Sequence, residues 1–286
     1  MKTFPTVTPV LRELDKRGSA AFGDDWDTKV GEAIRDLRDR YMQLRVWDRK
    51  LIDYGSLPVQ MAYAFMYVGA NANCLFQVME AGQAALGNSL LTKPEMRVTS
   101  WGGGPGSDLL ALVGLLRQSA PDTRPTKIHY RVLDKQPNWN EILKTVALLQ
   151  LGTVDIEVSF QEVDVTIPAQ WQGVSCDQED MVIMNFFISE VCSLKSAKSV
   201  RDCMEVGLKS LSEGCTLIFN DSNAFTFYSY FDGLRQRTGG FSALVSESGL
   251  LKVAGDFDDF FNEGIGRFET TPKLSSNAVY RVLKRI

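Results

Sequence analysis

Apolar residues recur at three- and four-residue intervals through KVGEAIRDLRDRYMQLRVWDRKLI (29–52), with charges between them. That is the period of a helix burying one stripe. DYGSLP (53–58) breaks the pattern, and a second, aromatic-rich helical run is expected over 59–86. GNSLLTKPE (87–95) reads as a linker, with Pro94 just ahead of a change of period. From Met96 short β-rich runs alternate with helical ones. Strands are expected at MRVTSW (96–101), KIHYRVLD (127–134), DIEVSFQEVDV (155–165), DMVIMNFFI (180–188) and CTLIFND (215–221). Helices are expected at 108–118, 138–152 and 197–214. Two last β-like runs, RFETTPKL (267–274) and AVYRVLKRI (278–286), flank SSN and suggest a terminal hairpin. Alternation of β and α implies a doubly wound, mostly parallel sheet covered by helices on both faces, ending in an antiparallel strand. The chain thus divides into a helical N-terminal cap region (1–94) and an α/β domain (95–286).

Composition narrows the picture mainly by exclusion. At 286 residues, 44% hydrophobic and 23% charged, the chain has the make-up of an ordinary globular protein with ample length for a core. A net charge of −4 offers no general footprint for nucleic acid or an anionic membrane. Five cysteines, none spaced as C-x-x-C, argue against a disulfide framework or zinc ribbon, and a cytoplasmic location is expected. No membrane partner is expected: the most apolar segment, MAYAFMYVGANANCLFQVM, is interrupted by Gly69, Asn71, Asn73 and Gln77. His129 is the one histidine and falls inside a predicted strand. Ser-His-Asp, Cys-His and multi-histidine metal chemistry are therefore not expected, and no metal site is assigned.

The candidate chemistry begins at VTSWGGGPGSD. A strand runs into Gly102, Gly103, Gly104, Pro105 and Gly106, and a helix starts at Ser107 or Asp108. Glycines there permit a sharp turn and let a ligand approach closer than a Cβ would allow. No Gly-Lys-Ser/Thr follows, which excludes a Walker phosphate loop. The dinucleotide fingerprint is met by Gly102 and Gly104, but its third glycine is replaced by Ser107. Asp108 at the helix start opposes a pyrophosphate and tolerates a ligand bearing an ammonium and a sulfonium.

With its flanking strand, this turn resembles the first motif of the class I (Rossmann-like) S-adenosylmethionine (SAM)-dependent methyltransferases, and the similarity runs from Met96 to the C-terminus. The resemblance implies a seven-stranded sheet and SAM as cofactor. Gly102, Gly103, Gly104, Gly106 and Asp108 would form the binding turn, Asp134 would hold the ribose hydroxyls, and Asp164 with Val165 would face the adenine. Asn185 and Phe186 would lie beneath the transferred methyl. Asn185, Glu190 and Asp221 are the candidate catalytic residues, the two acids as bases for an acceptor that starts protonated. The chain departs from the family at Ser100, where an acidic residue usually binds the methionine amino group; Asp108 is the candidate substitute. The spacing from Gly102 to Asp134, about 30 residues, also exceeds the roughly 20 of dinucleotide folds.

The acceptor would sit beyond the carboxyl ends of the strands. The segment NDSNAFTFYSYF brings Phe225, Phe227, Tyr228, Tyr230 and Phe231 toward that edge, either as an aromatic wall or as helix packing. Tyr63, Tyr67 and Asn71 share a helical face that could line a pocket. The acidic balance favours a small-molecule or protein acceptor. An RNA acceptor stays open, because NFFISEV behind a long helical region also resembles some ribosomal-RNA methyltransferase relatives. A non-catalytic SAM-binding or scaffold protein and a nicotinamide-dependent oxidoreductase are the alternatives from other classes.

Overall fold

The N-terminal third is helical in the computed structural model, which describes residues 3–87, 90–148 and 154–286. Helices α1 (Phe4–Phe22) and α2 (Trp26–Met42) are followed by an irregular crossing at 43–56. The expected second run forms α3 (Leu57–Tyr63), a π turn (Ala64–Val68) and α4 (Gly69–Ala85) without a break in direction of the chain's helical φ/ψ. Strand and helix then alternate: β1 (Glu95–Trp101), α5 (Ser107–Gln118), β2 (Lys127–Asp134), α6 (Trp139–Ala147), β3 (Asp155–Glu162), α7 (Pro168–Trp171) and β4 (Met181–Asn185). The rest comprises α8 (Ile188–Val191), α9 (Ala197–Ser210), β5 (Thr216–Ser222), α10 (Phe225–Thr238), β6 (Phe241–Lys252), α11 (Asp259–Phe268) and β7 (Ser275–Arg285). The part of the helix expected over 138–152 that falls at 149–152 lies outside the described residues.

The seven strands form one sheet in the order β3-β2-β1-β4-β5-β7-β6. Pairing is parallel from β3 to β5, whereas β7 runs antiparallel to both of its neighbours. This is the expected doubly wound α/β architecture with an antiparallel C-terminal strand. Because side chains alternate along a strand, each strand feeds two cores. Met181 and Ile183 of β4 join Val98, Tyr130 and Ile218 under α4, α5 and α6. Val182 and Met184 point the other way, to Leu217, Phe219 and the faces of α9 and α10. The N-terminal helices share the first of these cores with the sheet, so the cap region is one of its covering layers.

The terminal hairpin is corrected. β7 pairs with β6 (Phe241–Lys252), not with 267–274. Arg267 and Phe268 end α11 instead, where Phe261, Gly264 and Phe268 recur at helical spacing on the buried side. Asp258 starts that helix by accepting the Phe261 N–H at 3.1 Å. β3 and β4 also stop short of the expected runs. Val163, Val165 and Ile188 are buried beyond the strand ends, and Val163, Asp164, Val165, Phe186 and Phe187 wall a cleft, so these mostly apolar residues look in sequence like longer strands.

Candidate functional site: an acidic cleft at the carboxyl edge of the sheet

β1 and β2 are tied at their ends, where the Gly102 N–H donates to the Leu133 carbonyl at 2.7 Å. The glycine turn follows, and its glycines have different tasks. Gly102 has φ 68°, and a Cβ there would lie 2.2 Å from Phe187. Gly103 and Gly106 are likewise packed against protein, by Ser100 and Leu143. Gly104 (φ 49°) is different: a Cβ there would meet nothing closer than Trp139 Nε1 at 3.8 Å and Asp134 Oδ2 at 4.0 Å. Its missing side chain leaves open space on the cleft.

That cleft is lined by Gly102, Gly104, Asp134, Asp164, Val165, Asn185, Phe186 and Glu190, bringing together eight of the residues singled out in the sequence. Asp134 Oδ2 accepts the Gly104 N–H at 3.0 Å and Oδ1 accepts the Gln136 N–H at 2.9 Å. Each carboxylate oxygen keeps a lone pair for a further donor. Burial lifts the Asp134 pKa to about 6, against the pull of those two N–H groups. Asp164 Oδ1 accepts from the Thr166 N–H and hydroxyl at 2.8 and 2.6 Å, which turns the chain out of β3. Phe186 leaves β4 with φ 53°, a left-handed conformation that costs an aromatic residue of order 1–3 kcal/mol. Its N–H donates to the Asn220 carbonyl at 2.7 Å.

Glu190 is held by the end of α2 and the crossing at 43–56. Its Oε1 accepts the hydroxyls of Tyr54 (2.8 Å) and Tyr41 (3.1 Å), which are themselves 2.8 Å apart. Burial raises its pKa, opposed by the two hydroxyls. The Arg49 guanidinium donates to the Glu190 carbonyl, and the Asp48 N–H to that of Ser193, so the crossing is fastened across α8.

Four of the twelve residues assigned to cofactor binding or catalysis do not line the cleft: Gly103, Gly106, Asp108 and Asp221. Asp108 is buried behind the turn, where its carboxylate accepts from Ser100 Oγ, Ser107 Oγ (3.1 Å) and Asn185 Nδ2 (2.8 Å). Burial lifts its pKa to about 6. Asn185 Oδ1 in turn accepts from Asn220 at 2.8 Å. Ser100 and Asp108 are thus spent on each other, and the resulting polar row links β1, α5, β4 and β5. Asp221 accepts the N–H groups of Ser189 and Ser222 and fixes the start of α8; burial lifts it to about 6.

None of the aromatics after β5 lines the cleft, and Phe225 stands exposed. Phe227 and Phe231 are buried, and Phe231 stacks on Phe219 with centroids 4.0 Å apart. The aromatic lining comes from elsewhere. Tyr54, Tyr63 and Trp139 form one wall, with mutual centroid distances of 5.1–5.8 Å. Trp101 and Trp171 meet edge to face at 4.9 Å in another. Sequence reading passed over Tyr54 because DYGSLP carries only a break signal. Trp139 was not singled out either, although it is the first aromatic after Asp134. His129 lies near the amino end of the interior strand β2, between Glu95 (2.7 Å) and Glu157 (2.9 Å), and takes no part. Among the described residues no group of three or more His, Cys, Asp or Glu is placed to hold a metal ion, and no helix is long and apolar enough to cross a membrane.

No family model matches the chain, and no curated protein does either. Solved structures do resemble it. One is an arsenic(III) S-adenosylmethionine methyltransferase from Chlamydomonas reinhardtii, at 15% identity and TM-score 0.38, covering 68% of this chain; the match spans 64% of that chain, less than two thirds of its length. Another is a SAM-dependent methyltransferase from Methanosarcina mazei, at 10% identity and TM-score 0.45, over 68% of this chain and 94% of that one. A third is the trans-methyltransferase CalH in complex with SAH, at 12% identity and TM-score 0.45, over 96% and 73%. The chemistry of the cleft is read from its own residues.

Proposed function

We propose that the cleft binds SAM and that the chain transfers its methyl group to an acceptor. The observation that carries this reading is the pairing of Gly104 with Asp134. The glycine leaves space where a side chain would stand, and the carboxylate beside it has free lone pairs at the distance of that space. A ribose with two hydroxyls satisfies both, each charge-assisted bond contributing about 1.5–3 kcal/mol. Charge supports the choice of ligand. The cleft's charged lining is Asp134, Asp164 and Glu190 against Lys135, which suits a ligand carrying cations and disfavours a pyrophosphate. When bound, SAM supplies a methyl carbon made electrophilic by its sulfonium.

The chain's own residues bind and align. Asp134 holds the ribose, and Asp164 with Val165 bounds the adenine end. Tyr54, Tyr63 and Trp139 exclude water, which strengthens every polar contact inside. Asn185 is fixed by Asp108 and Asn220, and Phe186 closes the floor beside it. Alignment and exclusion of water are the main requirements of an in-line displacement. Glu190, kept less acidic by burial, is the candidate proton acceptor for an acceptor that arrives protonated.

Calorimetry with SAM, S-adenosylhomocysteine and NAD tests the ligand: binding of the first two and not the third is expected, and NAD binding alone would overturn it. Turnover of labelled SAM against cell extract fractionated into RNA, protein and metabolites tests transfer, with labelling expected in the metabolite or protein fraction. A second reading, SAM binding without turnover, is favoured by one observation: with Asp108 consumed by Ser100, no acid at the turn faces the amino group of the ligand. Binding with no labelled fraction would select it.

A further inference from the structure

On the far side of Phe186 lies a second cavity, lined by Tyr41, Leu44, Tyr67, Asn71, Ser189 and Ser222 among others. The charged residues in its lining are Arg35, Arg38 and Lys273 against Asp39 alone. Arg35, Arg38 and Asp39 stand at the exposed rim on α2, whereas Lys273 is part-buried. Lys273 is placed from the chain between α11 and β7, where its N–H donates to the Met66 carbonyl of the π turn at 3.0 Å. Its ammonium lies 4.5 Å from the centroid of the Phe186 ring. Among the described residues it makes no hydrogen bond or ion pair with a carboxylate. Among the described residues Arg38 donates only to the hydroxyl of Thr270. Burial holds the Lys273 pKa below the usual lysine range, with Cys74 and Asp221 pulling it back up.

A cation withdrawn from water without a counter-ion is costly, and the cost is relieved when an anion enters with a ligand. The two cavities share Phe186, and polar contacts join their linings: the Asn185 amide donates to the Asn71 carbonyl at 3.4 Å, and the Tyr41 hydroxyl reaches Glu190 at 3.1 Å. Resting on the reading of the first cleft as a SAM site, we propose that this second cavity takes the methyl acceptor, and that the acceptor is a small molecule bearing a phosphate or carboxylate, held by Lys273 with Arg35 and Arg38 at the mouth. The ring surfaces of Tyr41, Tyr67 and Phe186 suit a flat group attached to that anion.

Benzoate, phenyl phosphate and benzylamine are the probes, titrated by ligand-observed NMR into the full chain saturated with S-adenosylhomocysteine. Both anions, or one of them, are expected to bind and the amine not. Preference for phenyl phosphate identifies a phosphate source and preference for benzoate a carboxylate source; either supports the proposal. Lys273→Met is expected to weaken the preferred anion about tenfold, the worth of one charge-assisted contact, while Lys273→Arg largely retains it. Should Lys273→Met fail to fold, Arg35→Gln on the exposed face of α2 is expected to weaken the anion about threefold, the worth of an exposed charge. Failure of both anions to bind, amine binding as tight as theirs, or affinity indifferent to both Lys273→Met and Arg35→Gln would overturn the proposal. S-adenosylhomocysteine binding is read separately in the same samples. Its absence defeats the reading of the first cleft, whereas its presence with no anion bound defeats the acceptor class alone.

Discussion

Two hollows meet at Phe186 and differ in how their charges are housed. The first lies over β1 to β4 and is lined by three acids, each hydrogen-bonded to the scaffold: Asp134 by the glycine turn, Asp164 by Thr166 and Glu190 by two tyrosines. The second lies between α2, the π-turn region and the segment joining α11 to β7, and its innermost charge is a lysine with no such partner among the described residues. An acid that already accepts backbone or hydroxyl donors is oriented before the ligand arrives, so little ordering is left for binding to accomplish. A cation without a partner is instead a standing demand for an anion. The net charge of −4 averages over both and describes neither. Electrostatic arguments from whole-chain composition apply to long-range steering, whereas recognition depends on which few charges line a given cavity.

Experiments that separate the hollows follow in order of expected effect. Asp134→Ala is expected to weaken S-adenosylhomocysteine by more than tenfold in calorimetry, as two charge-assisted contacts are lost. Asp134→Asn keeps the shape and isolates the charge. Neither is expected to change anion binding in the second cavity, and a change there would erase the distinction between the two.

The pH dependence comes next. Asp134 has its pKa raised to about 6, so it is protonated below that value and ionised above it. Ribose hydroxyls donate to the ionised form. Affinity for S-adenosylhomocysteine is therefore expected to rise from pH 5 to pH 7.5 by roughly tenfold and then level off, the span set by the ionised fraction. A flat profile would mean that Asp134 does not accept from the ligand.

Gly104→Ala is a smaller and more discriminating change. The cleft has room for the Cβ in the free protein, so the cost to thermal stability is expected to be only the left-handed backbone penalty, about 1–2 kcal/mol. The methyl would nonetheless occupy ligand space, and an affinity loss of about fivefold is expected, equivalent to roughly 1 kcal/mol. Equal affinity with lowered stability would make Gly104 a turn residue only. Smallest of all, Glu190→Gln preserves an acceptor for Tyr41 and Tyr54 and removes one negative charge. S-adenosylhomocysteine affinity is expected to fall by less than about threefold, under roughly 0.7 kcal/mol, because Glu190 is assigned to the acceptor and not to this ligand; methyl transfer to a protonated acceptor would fall much further.

Much of the architecture was legible because it rests on local pattern. KIHYRVLD forms β2 over the very residues its alternation marks, and Gly102 to Gly106 turn where the glycines cluster. The C-terminal hairpin was misassigned because RFETTPKL mixes β-rich residues with the end of α11. Its true partner FSALVSESGLLK is an edge strand, exposed on much of its length and so without a hydrophobic face to read. At the site, Asp134 and Glu190 were singled out through the resemblance, one at the end of β2 and one in the motif that follows β4, and both line the cleft. Asp108 was singled out for charge at a helix start, yet its side chain turns inward to Ser100 and Asn185. Sequence position assigns an acid to a turn but not to one side of it.

The sequence by itself determined the alternation of strand and helix from β1 to β5, the glycine turn and the acids at or after β2 to β5, because these depend on neighbours a few residues away. Only the tertiary structure decided which acids open on the cleft, that Tyr41 and Tyr54 hold Glu190 from across the chain, and that Lys273 comes to rest against Phe186. Such pairings join residues separated by some 90 to 150 positions, and packing, which has no local signature, is what brings them into contact.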